Sequence, residues 1–267
     1  MLTPDQLAQA AQDLYHAEQT GVQTGLLSRR FEGMDIDDAY AIQDALVQRK
    51  LAAGEQIIGW KIGLTSKAMQ SALNIDIPDS GVLFDTMHFD NGAHIPKGRF
   101  IQPRVEAEIA FVMKFGVSGA NVTADDIRAA TDYFVPSLEI LDTRILRQDP
   151  NTGRARIIVD TISDNAANAG VVLGTKKHRI GDTDLRWVGA IVSRNGEVEE
   201  TGLGAGVLND PVESMVWLVR RLAQYGQGIR AGDIVLSGSF IRPIECPSGS
   251  QIHADFGGFG SVHIAFD

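Results

Sequence analysis

The sequence has little of several features that define whole classes of protein. A single cysteine, Cys246, among 267 residues rules out an internal disulfide and supplies no zinc cluster. No run of about 18 apolar residues occurs, so no membrane-spanning helix is expected. The first residues, "MLTPDQLAQAAQDL", lack the basic start and apolar core of a signal peptide. These absences together favour a cytoplasmic protein.

Positive charge is also scarce in this chain. Lysine and arginine total 24 against 34 aspartate and glutamate residues, so the net charge is −10. The acidic balance argues against nucleic acid as a partner. It does not exclude an anionic small molecule, because a bound cation can reverse the local field.

The apolar spacing predicts helices first and strands later. One helix should begin after Thr3 and a second should cover about 37–53, followed by a short strand over 59–64 and a short helix over 65–73. From about residue 80, short β-like runs alternate with turns. Asn195-Gly196 is a strong hairpin signal. The β-like runs cover 104–114, 135–141, 168–174, 187–194, 233–240 and 261–266.

Two further helices are predicted within the β region, one beginning near Thr123 and one at Asp210-Pro211. The whole pattern predicts an α+β fold, with a helical N-terminal layer and a mixed, mostly antiparallel β-roll or sandwich body. We expect an N-terminal layer over 1–75 and a catalytic body over 76–267, which could form one structural unit.

Carboxylates stand out in two otherwise apolar runs. Side chains alternate along a strand, so Glu106 and Glu108 of "PRVEAEIAFV" share one face. A half-buried strand with a wet face explains that pair equally well. Glu139 is the only charge in "VPSLEIL", and a buried carboxylate needs a proton, a basic partner or a metal. Three such carboxylates could hold Mg²⁺ or Mn²⁺, although spacing alone does not show that Glu139 meets the pair.

Other polar residues also stand in apolar or turn-rich settings. Lys61 in "IIGWKIGL" either reaches solvent or points into a cleft beside carboxylates. Asp79 lies in a Pro/Gly turn, where local hydrogen bonding is its ordinary task. Ser163 begins "SDNAANAG", which can form a turn or supply a hydroxyl group to a ligand.

Five segments, in this order, resemble the hydratases of aromatic meta-cleavage pathways, a group within the fumarylacetoacetate hydrolase superfamily. The resemblance runs nearly from end to end of the chain. The segments are "KIGLTSKAMQ" (61–70), "PRVEAEIAFV" (103–112), "SLEILDTR" (137–144), "DTISDNAANAGVVLG" (160–174) and "GSFIRP" (238–243).

The resemblance implies a fold like the C-terminal domain of that superfamily and a metal, Mg²⁺ or Mn²⁺, bound by Glu106, Glu108 and Glu139. It implies hydration of a small seven-carbon 2-oxo dicarboxylate. It also implies a homo-oligomer, a pentamer or a decamer.

For the substrate, the resemblance implies contacts with Lys61, Asp79, Leu83 and Ser163. Lys61, Asp79 and Ser163 would be the catalytic groups among these.

The far end of a dicarboxylate requires recognition, and the stretch 142–156 is rich in arginine. One of these arginines could bind the distal carboxylate bidentately, with Arg144 as our candidate. A solvated loop or a subunit contact is the alternative for most of them.

Three other functions stay open. The same family hydrates 2-hydroxypenta-2,4-dienoate, which has no distal carboxylate, and decarboxylates 4-oxalocrotonate. From a different class, the chain could be a non-catalytic protein that binds a metal and an oxoacid. The presence of Lys61, Asp79 and all three glutamates argues against a loss of chemistry.

Overall fold

The N-terminal helices begin where their capping residues predict. The structure is a computed structural model that describes residues 1–67, 70, 71, 75 and 77–267. Residues 68, 69, 72 and 73 of the short helix predicted over 65–73 lie outside them. Thr3 and Gln6 form a reciprocal capping box at the first helix, as predicted. The helices are α1 (Pro4–Thr20), α2 (Leu27–Arg30), α3 (Ile36–Ala52), α4 (Ala124–Ala130), α5 (Ile158–Ser163) and α6 (Pro211–Ala223).

Each predicted run contains a strand, although the run 233–240 is a strand only over Ile234–Leu236, and strands over Asp79–Phe84 and Ser250–Asp255 were not predicted. Asn195 and Gly196 both have positive φ in the tight turn between the strands Gly189–Arg194 and Glu197–Leu203, which confirms the hairpin. The strands are β1 (Ile57–Gly63), β2 (Asp79–Phe84), β3 (His88–Phe89), β4 (His94–Ile95), β5 (Arg104–Met113), β6 (Val117–Ser118), β7 (Thr131–Leu141), β8 (Asn168–Leu173), β9 (Gly189–Arg194), β10 (Glu197–Leu203), β11 (Gly228–Ile229), β12 (Ile234–Leu236), β13 (Ile244–Glu245), β14 (Ser250–Asp255) and β15 (Ser261–Phe266).

The strands form two large sheets and one small one. The eight-stranded sheet has the order β2-β1-β12-β5-β7-β8-β3, with β13 also paired to β5. A five-stranded sheet has the order β10-β9-β14-β15-β4, and β11 pairs with β6. Most of the strand pairs in the described part are antiparallel. The predicted α+β class is confirmed.

The main core lies between the two large sheets. One face of β5 contributes Val105, Ile109 and Phe111 to an apolar cluster that also contains Ile252 of β14 and Ile264 of β15. The opposite face of β5 carries Glu106 and Glu108. Burial of the apolar face therefore fixes the direction in which the two carboxylates point.

A second core joins the N-terminal helices to the body. Leu14 of α1, Ile42 and Leu46 of α3 and Ile162 of α5 belong to one buried cluster. Strand β1 pairs with β2 and β12, so it lies within the eight-stranded sheet although it precedes residue 75. The division at that residue stays a prediction. None of the described helices is long and apolar enough to cross a membrane.

Arg144 holds the loop after β7 onto the segment after α5. Its Nε and backbone N–H donate to the Asp164 carboxylate, and its Nη1 donates to the Asn168 carbonyl oxygen at 3.1 Å. Both side chains of the pair are buried. Burial raises the pKa of Asp164 to about 6, although Arg144 acts against the shift.

The substitution Arg144→Met should destabilise the protein by about 3–5 kcal/mol near pH 8, because it leaves the Asp164 carboxylate buried without its partner. The loss should be smaller near about pH 5, where Asp164 can hold a proton. Urea unfolding at both pH values measures the loss in the free energy of unfolding. Arg154→Met, which changes an exposed side chain of the same loop, is the control. Wild-type stability with weakened substrate binding would instead assign Arg144 to the substrate.

Candidate active site

Three glutamates converge on one face of the eight-stranded sheet. Glu106 of β5 lies directly opposite Glu139 of β7 in the strand register, and Glu108 lies one step along the same face of β5. Each of the three offers a carboxylate oxygen within 4.8 Å of the others. The register thus supplies the convergence that spacing in the sequence left open.

The glutamate oxygens are poorly satisfied by the protein itself. Glu108 Oε2 accepts a hydrogen bond from the Gly238 N–H at 2.7 Å. Glu108 Oε1 and both Glu139 carboxylate oxygens are buried without a hydrogen-bond partner among the described residues. Buried oxygens of this kind require a cation or protons. The all-oxygen donor set fits a hard divalent metal ion.

Lys61 is the cation nearest to the glutamates within the described residues. Its Nζ lies 3.6 Å from Glu139 Oε1 and 3.9 Å from Asp79 Oδ1. Lys61 is on β1, whose neighbour β2 begins at Asp79. Four carboxyl groups therefore surround one buried ammonium group, and one charge cannot neutralise four.

The pKa values of this cluster express that imbalance. Burial, and then the neighbouring Glu139, raise the pKa of Glu106 to about 8. Burial raises the pKa of Glu108, Glu139 and Asp79 as well. Burial alone would lower the pKa of Lys61, but Glu139 and Asp79 more than offset it and raise the pKa. Lys61 is therefore charged, and Glu106 holds a proton near neutral pH when no metal is bound.

Gly63 leaves room for the contact between Lys61 and Asp79. A Cβ atom at this position would lie 2.2 Å from Asp79 Oδ1 and 2.8 Å from Lys61 Nζ. Gly63 pairs with Asp79 in the β1–β2 register. The glycine after "WKI" is therefore part of the site geometry rather than a simple strand end.

A cavity of about 730 Å³ opens onto these groups. Glu106 is half-buried at its wall, while Glu108 and Glu139 lie fully buried behind it. Lys61, Asp79, Arg104 and Arg156 also line it. Its remaining described lining residues are Gly63, Leu64, Thr65, Ser66, Ile75, Leu141, Ile157, Ile158, Thr161, Ala166, Ala167, Glu200, Thr201, Gly206, Ser239, Phe240, Ile241, Arg242 and Pro243.

Part of the cavity wall has an unusual backbone. Leu64, Ala166 and Ala167 all have φ between 50° and 60°, in the left-handed region that non-glycine residues rarely adopt. The adjoining Asn165 side chain bonds both the N–H and the carbonyl oxygen of Val82 and so holds this turn against β2. Strained backbone of this kind occurs often at functional sites.

The structure places the other predicted site residues away from the cavity wall. Ser163 donates its hydroxyl hydrogen to the Val159 carbonyl oxygen at 2.8 Å within α5. Leu83 packs in a separate apolar cluster with Val135 and Leu236. The Arg144 guanidinium forms a buried ion pair with the Asp164 carboxylate. Their predicted roles in catalysis or substrate binding stay predictions, and the geometry of the cavity does not use them.

Arg104 was not among the residues that the sequence singled out. It is two residues before Glu106 on the same face of β5, so strand alternation alone could have indicated it. Arg156 was noted only as one of several arginines in its loop. Neither signal shows that the two side chains line the same cavity, because that depends on how the loop after β7 returns to the sheet.

Known hydratases are similar to this chain along nearly its whole length. No family model matches the chain. A 2-oxo-hept-4-ene-1,7-dioate hydratase from Escherichia coli is 47% identical, with 96% of each chain covered. A 2-keto-4-pentenoate hydratase from Paraburkholderia xenovorans is 40% identical, covering 100% of this chain and 97% of the relative.

Solved structures give the same result for the fold. The 4-oxalocrotonate decarboxylase from Pseudomonas putida G7, complexed with magnesium and adipate, superposes with a TM-score of 0.93 at 31% identity, covering 100% of this chain and 99% of the other. A fumarylpyruvate hydrolase from Pseudomonas aeruginosa, 12% identical, shares the fold with a TM-score of 0.59 over 78% of this chain and 88% of its own. The chain shares its fold with the fumarylacetoacetate hydrolase family, and its relatives place it among the metal-dependent lyases. Among these, the chain belongs to the family of hydratases and decarboxylases of 2-oxo acids.

Stabilisation by a divalent metal ion should increase with pH. A carboxyl group whose folded pKa is about 8 holds a proton that the unfolded chain has released above its ordinary 4.5. The metal-free protein should therefore lose stability as pH rises through this window, on the order of 1 kcal/mol per pH unit for each such group. A metal ion replaces these protons, so its affinity should rise over the same window.

Melting temperatures with EDTA or with Mg²⁺, at about pH 6 and about pH 8.5, measure this effect. The shift caused by Mg²⁺ should be larger at the higher pH. An equal shift at both values would mean that the ion does not displace protons from the glutamates.

Proposed function

We propose that the chain hydrates 2-oxohept-4-ene-1,7-dioate, supplied as 2-hydroxyhepta-2,4-diene-1,7-dioate, to 4-hydroxy-2-oxoheptane-1,7-dioate. The observation that carries this proposal is the meeting of Glu106, Glu108 and Glu139 with Lys61 and Asp79 at one cavity. The E. coli relative bears the name of this activity at 47% identity. The mixture of carboxylate, ammonium and guanidinium groups suits a small, strongly anionic oxoacid.

Glu106, Glu108 and Glu139 are the proposed ligands of the metal, with Mg²⁺ or Mn²⁺ as the ion. When bound, a divalent ion supplies Lewis-acid polarisation of the substrate's 2-oxo group. The chain's own contribution is to keep three carboxylate oxygens together at the inner end of the cavity. The orphaned oxygens of Glu108 and Glu139 support this assignment.

Lys61 and Asp79 are the proposed groups for proton movement. Lys61 stays charged between Glu139 and Asp79 and can stabilise negative charge that develops on the substrate. Asp79 has a raised pKa, and its buried Oδ1 has no hydrogen-bond partner among the described residues. The raised pKa makes Asp79 a stronger base than an ordinary aspartate, which suits a group that accepts and returns a proton.

The proposed reaction has two stages, an isomerisation of the dienol and an addition of water. The C2 hydroxyl of the dienol loses a proton and C5 gains one, which leaves a C3–C4 double bond conjugated to the new ketone. Water then adds its oxygen at C4, and a proton goes to C3. The strained wall at Leu64, Ala166 and Ala167 borders the space where the chain of the substrate would lie.

The test uses metal-stripped protein and freshly prepared 2-hydroxyhepta-2,4-diene-1,7-dioate. The ultraviolet absorbance of the dienol should fall only after Mg²⁺ is added, and the product should weigh one water more than the substrate. The absence of any product with either Mg²⁺ or Mn²⁺ would refute the proposed hydration.

A decarboxylase is the second candidate, because the chain superposes on 4-oxalocrotonate decarboxylase with a TM-score of 0.93. Loss of CO₂ from 4-oxalocrotonate, without gain of water from the dienol, would place the chain in that branch. The 40% identity to a 2-keto-4-pentenoate hydratase makes 2-hydroxypenta-2,4-dienoate the other substrate to compare.

We also propose that the protein works in the cytoplasm as a homo-oligomer, a pentamer or decamer. The family resemblance supports this assembly. The single cysteine, which is free and buried, suits a reducing compartment. Light scattering of the purified protein would give the number of subunits.

The substitution Glu139→Gln should lower kcat more than about 100-fold while the fold remains intact. The amide has nearly the size of the carboxyl group, and burial raises the pKa of Glu139, so the position tolerates a neutral group. Mg²⁺ affinity by calorimetry and turnover by absorbance test this prediction. Glu213→Gln, on the exposed surface of α6, is the control. Wild-type turnover and metal affinity in Glu139→Gln would remove this residue from the metal site.

A further inference from the structure

Two guanidinium groups on the cavity wall lack a partner in the described part of the chain. Arg104 begins β5, and Arg156 ends the loop between β7 and α5. Arg104 Nε and Arg156 Nη1 are buried without a hydrogen-bond partner among the described residues. A buried cation in this condition is costly unless an anion joins it.

The other described cations at this cavity are already engaged. Lys61 is held by Glu139 and Asp79. Arg242 is mostly exposed, and its Nη2 pairs with Glu200 Oε1 at 2.6 Å. Arg104 and Arg156 therefore remain as the described positive groups of the wall that are available to an anionic ligand.

Repulsion from neighbouring positive charges disfavours the charged forms of Arg104 and Arg156. Arg147, nearby in the same loop, is paired with Glu245 at 2.6 Å and lines a different cavity. The pKa of Arg156 is lowered by burial first, and Arg104 and Arg147 lower it further, although Asp164 opposes them. A bound carboxylate would relieve both the repulsion and the missing hydrogen bonds.

The backbone fixes the position of Arg156. Its N–H donates to the Arg147 carbonyl oxygen at 2.9 Å, and Gln148 forms a β-bridge with Ala155, so the loop closes on itself before α5 begins. The neighbouring Ile157 and Ile158 also line the cavity. These backbone contacts therefore fix the end of the loop that carries Arg156.

We propose that Arg156, together with Arg104, binds the second carboxylate of the substrate, the one remote from the three glutamates. This assignment rests on the proposed function, which places the 2-oxo acid head at the metal ligands. A planar guanidinium can bind a carboxylate through two parallel hydrogen bonds. The pair would make the cavity selective for dicarboxylates over monocarboxylates of the same length.

The test measures binding, so it does not depend on turnover. Calorimetry with the Mg²⁺-loaded protein compares 2-oxoheptanedioate with 2-oxoheptanoate, which differs only by a methyl group in place of the distal carboxylate. The wild-type protein should bind the dioate at least about tenfold more tightly. Arg156→Ala should weaken dioate binding about 10- to 100-fold and change binding of 2-oxoheptanoate less than about twofold.

Three further variants sharpen the result. Arg156→Lys keeps the charge but loses the planar fork, so its dioate affinity should lie between those of the wild type and Arg156→Ala. Arg154→Ala, an exposed arginine two residues earlier, should bind both ligands as the wild type does. Arg104→Ala should also reduce the preference for the dioate.

Three results would overturn the proposal. The wild type could bind both ligands equally, Arg156→Ala could weaken both equally, or Arg156→Ala could keep the full preference for the dioate. Equal weakening of both would assign Arg156 to the 2-oxo acid head. A protein that prefers the dioate through Arg156 but does not hydrate the dienol would refute the proposed reaction alone.

Discussion

The burial of four carboxyl groups around one ammonium group is the constraint on which the rest of the site depends. Glu106, Glu108, Glu139 and Asp79 would carry four negative charges when ionised, and Lys61 supplies one positive charge. Such an excess is tolerated in a protein interior only when protons or a metal ion balance it. A divalent ion would leave one negative charge in the cluster. Binding of a metal ion by these glutamates would therefore be coupled to the release of their protons.

The sheet supplies the rigidity that this arrangement needs. The long β5–β7 ladder fixes Glu106 against Glu139, and the apolar face of β5 is locked between the two large sheets. A slip of one residue would exchange the two faces and place the glutamates in the apolar core. Gly238 adds a backbone N–H to Glu108 from a conformation with φ of 113°, which favours glycine. The three glutamates are thus positioned by the main ladder, while loops supply the Gly238 N–H and part of the cavity wall.

The sequence was informative wherever a local rule decides the outcome. Capping boxes located the starts of α1 and α4, and strand alternation placed Glu106 and Glu108 on one face. It could not show that Glu139 lies opposite Glu106, because register depends on pairing between distant segments. Nor could it separate Arg144 from Arg156. Both are arginines of one loop, but in the fold Arg144 pairs with Asp164, whereas Arg156 lines the cavity.

The same cavity thus contains charges of opposite sign with different partners. The carboxyl groups and Lys61 form one cluster with an excess of negative charge, while Arg104 Nε and Arg156 Nη1 lack a hydrogen-bond partner among the described residues. Arg104 lies two residues before Glu106 on the same face of β5 and is attracted to it, but the described residues form no ion pair between the two. A ligand with a chelating head and a second carboxylate satisfies both ends in one orientation, since the reverse placement would bring like charges together.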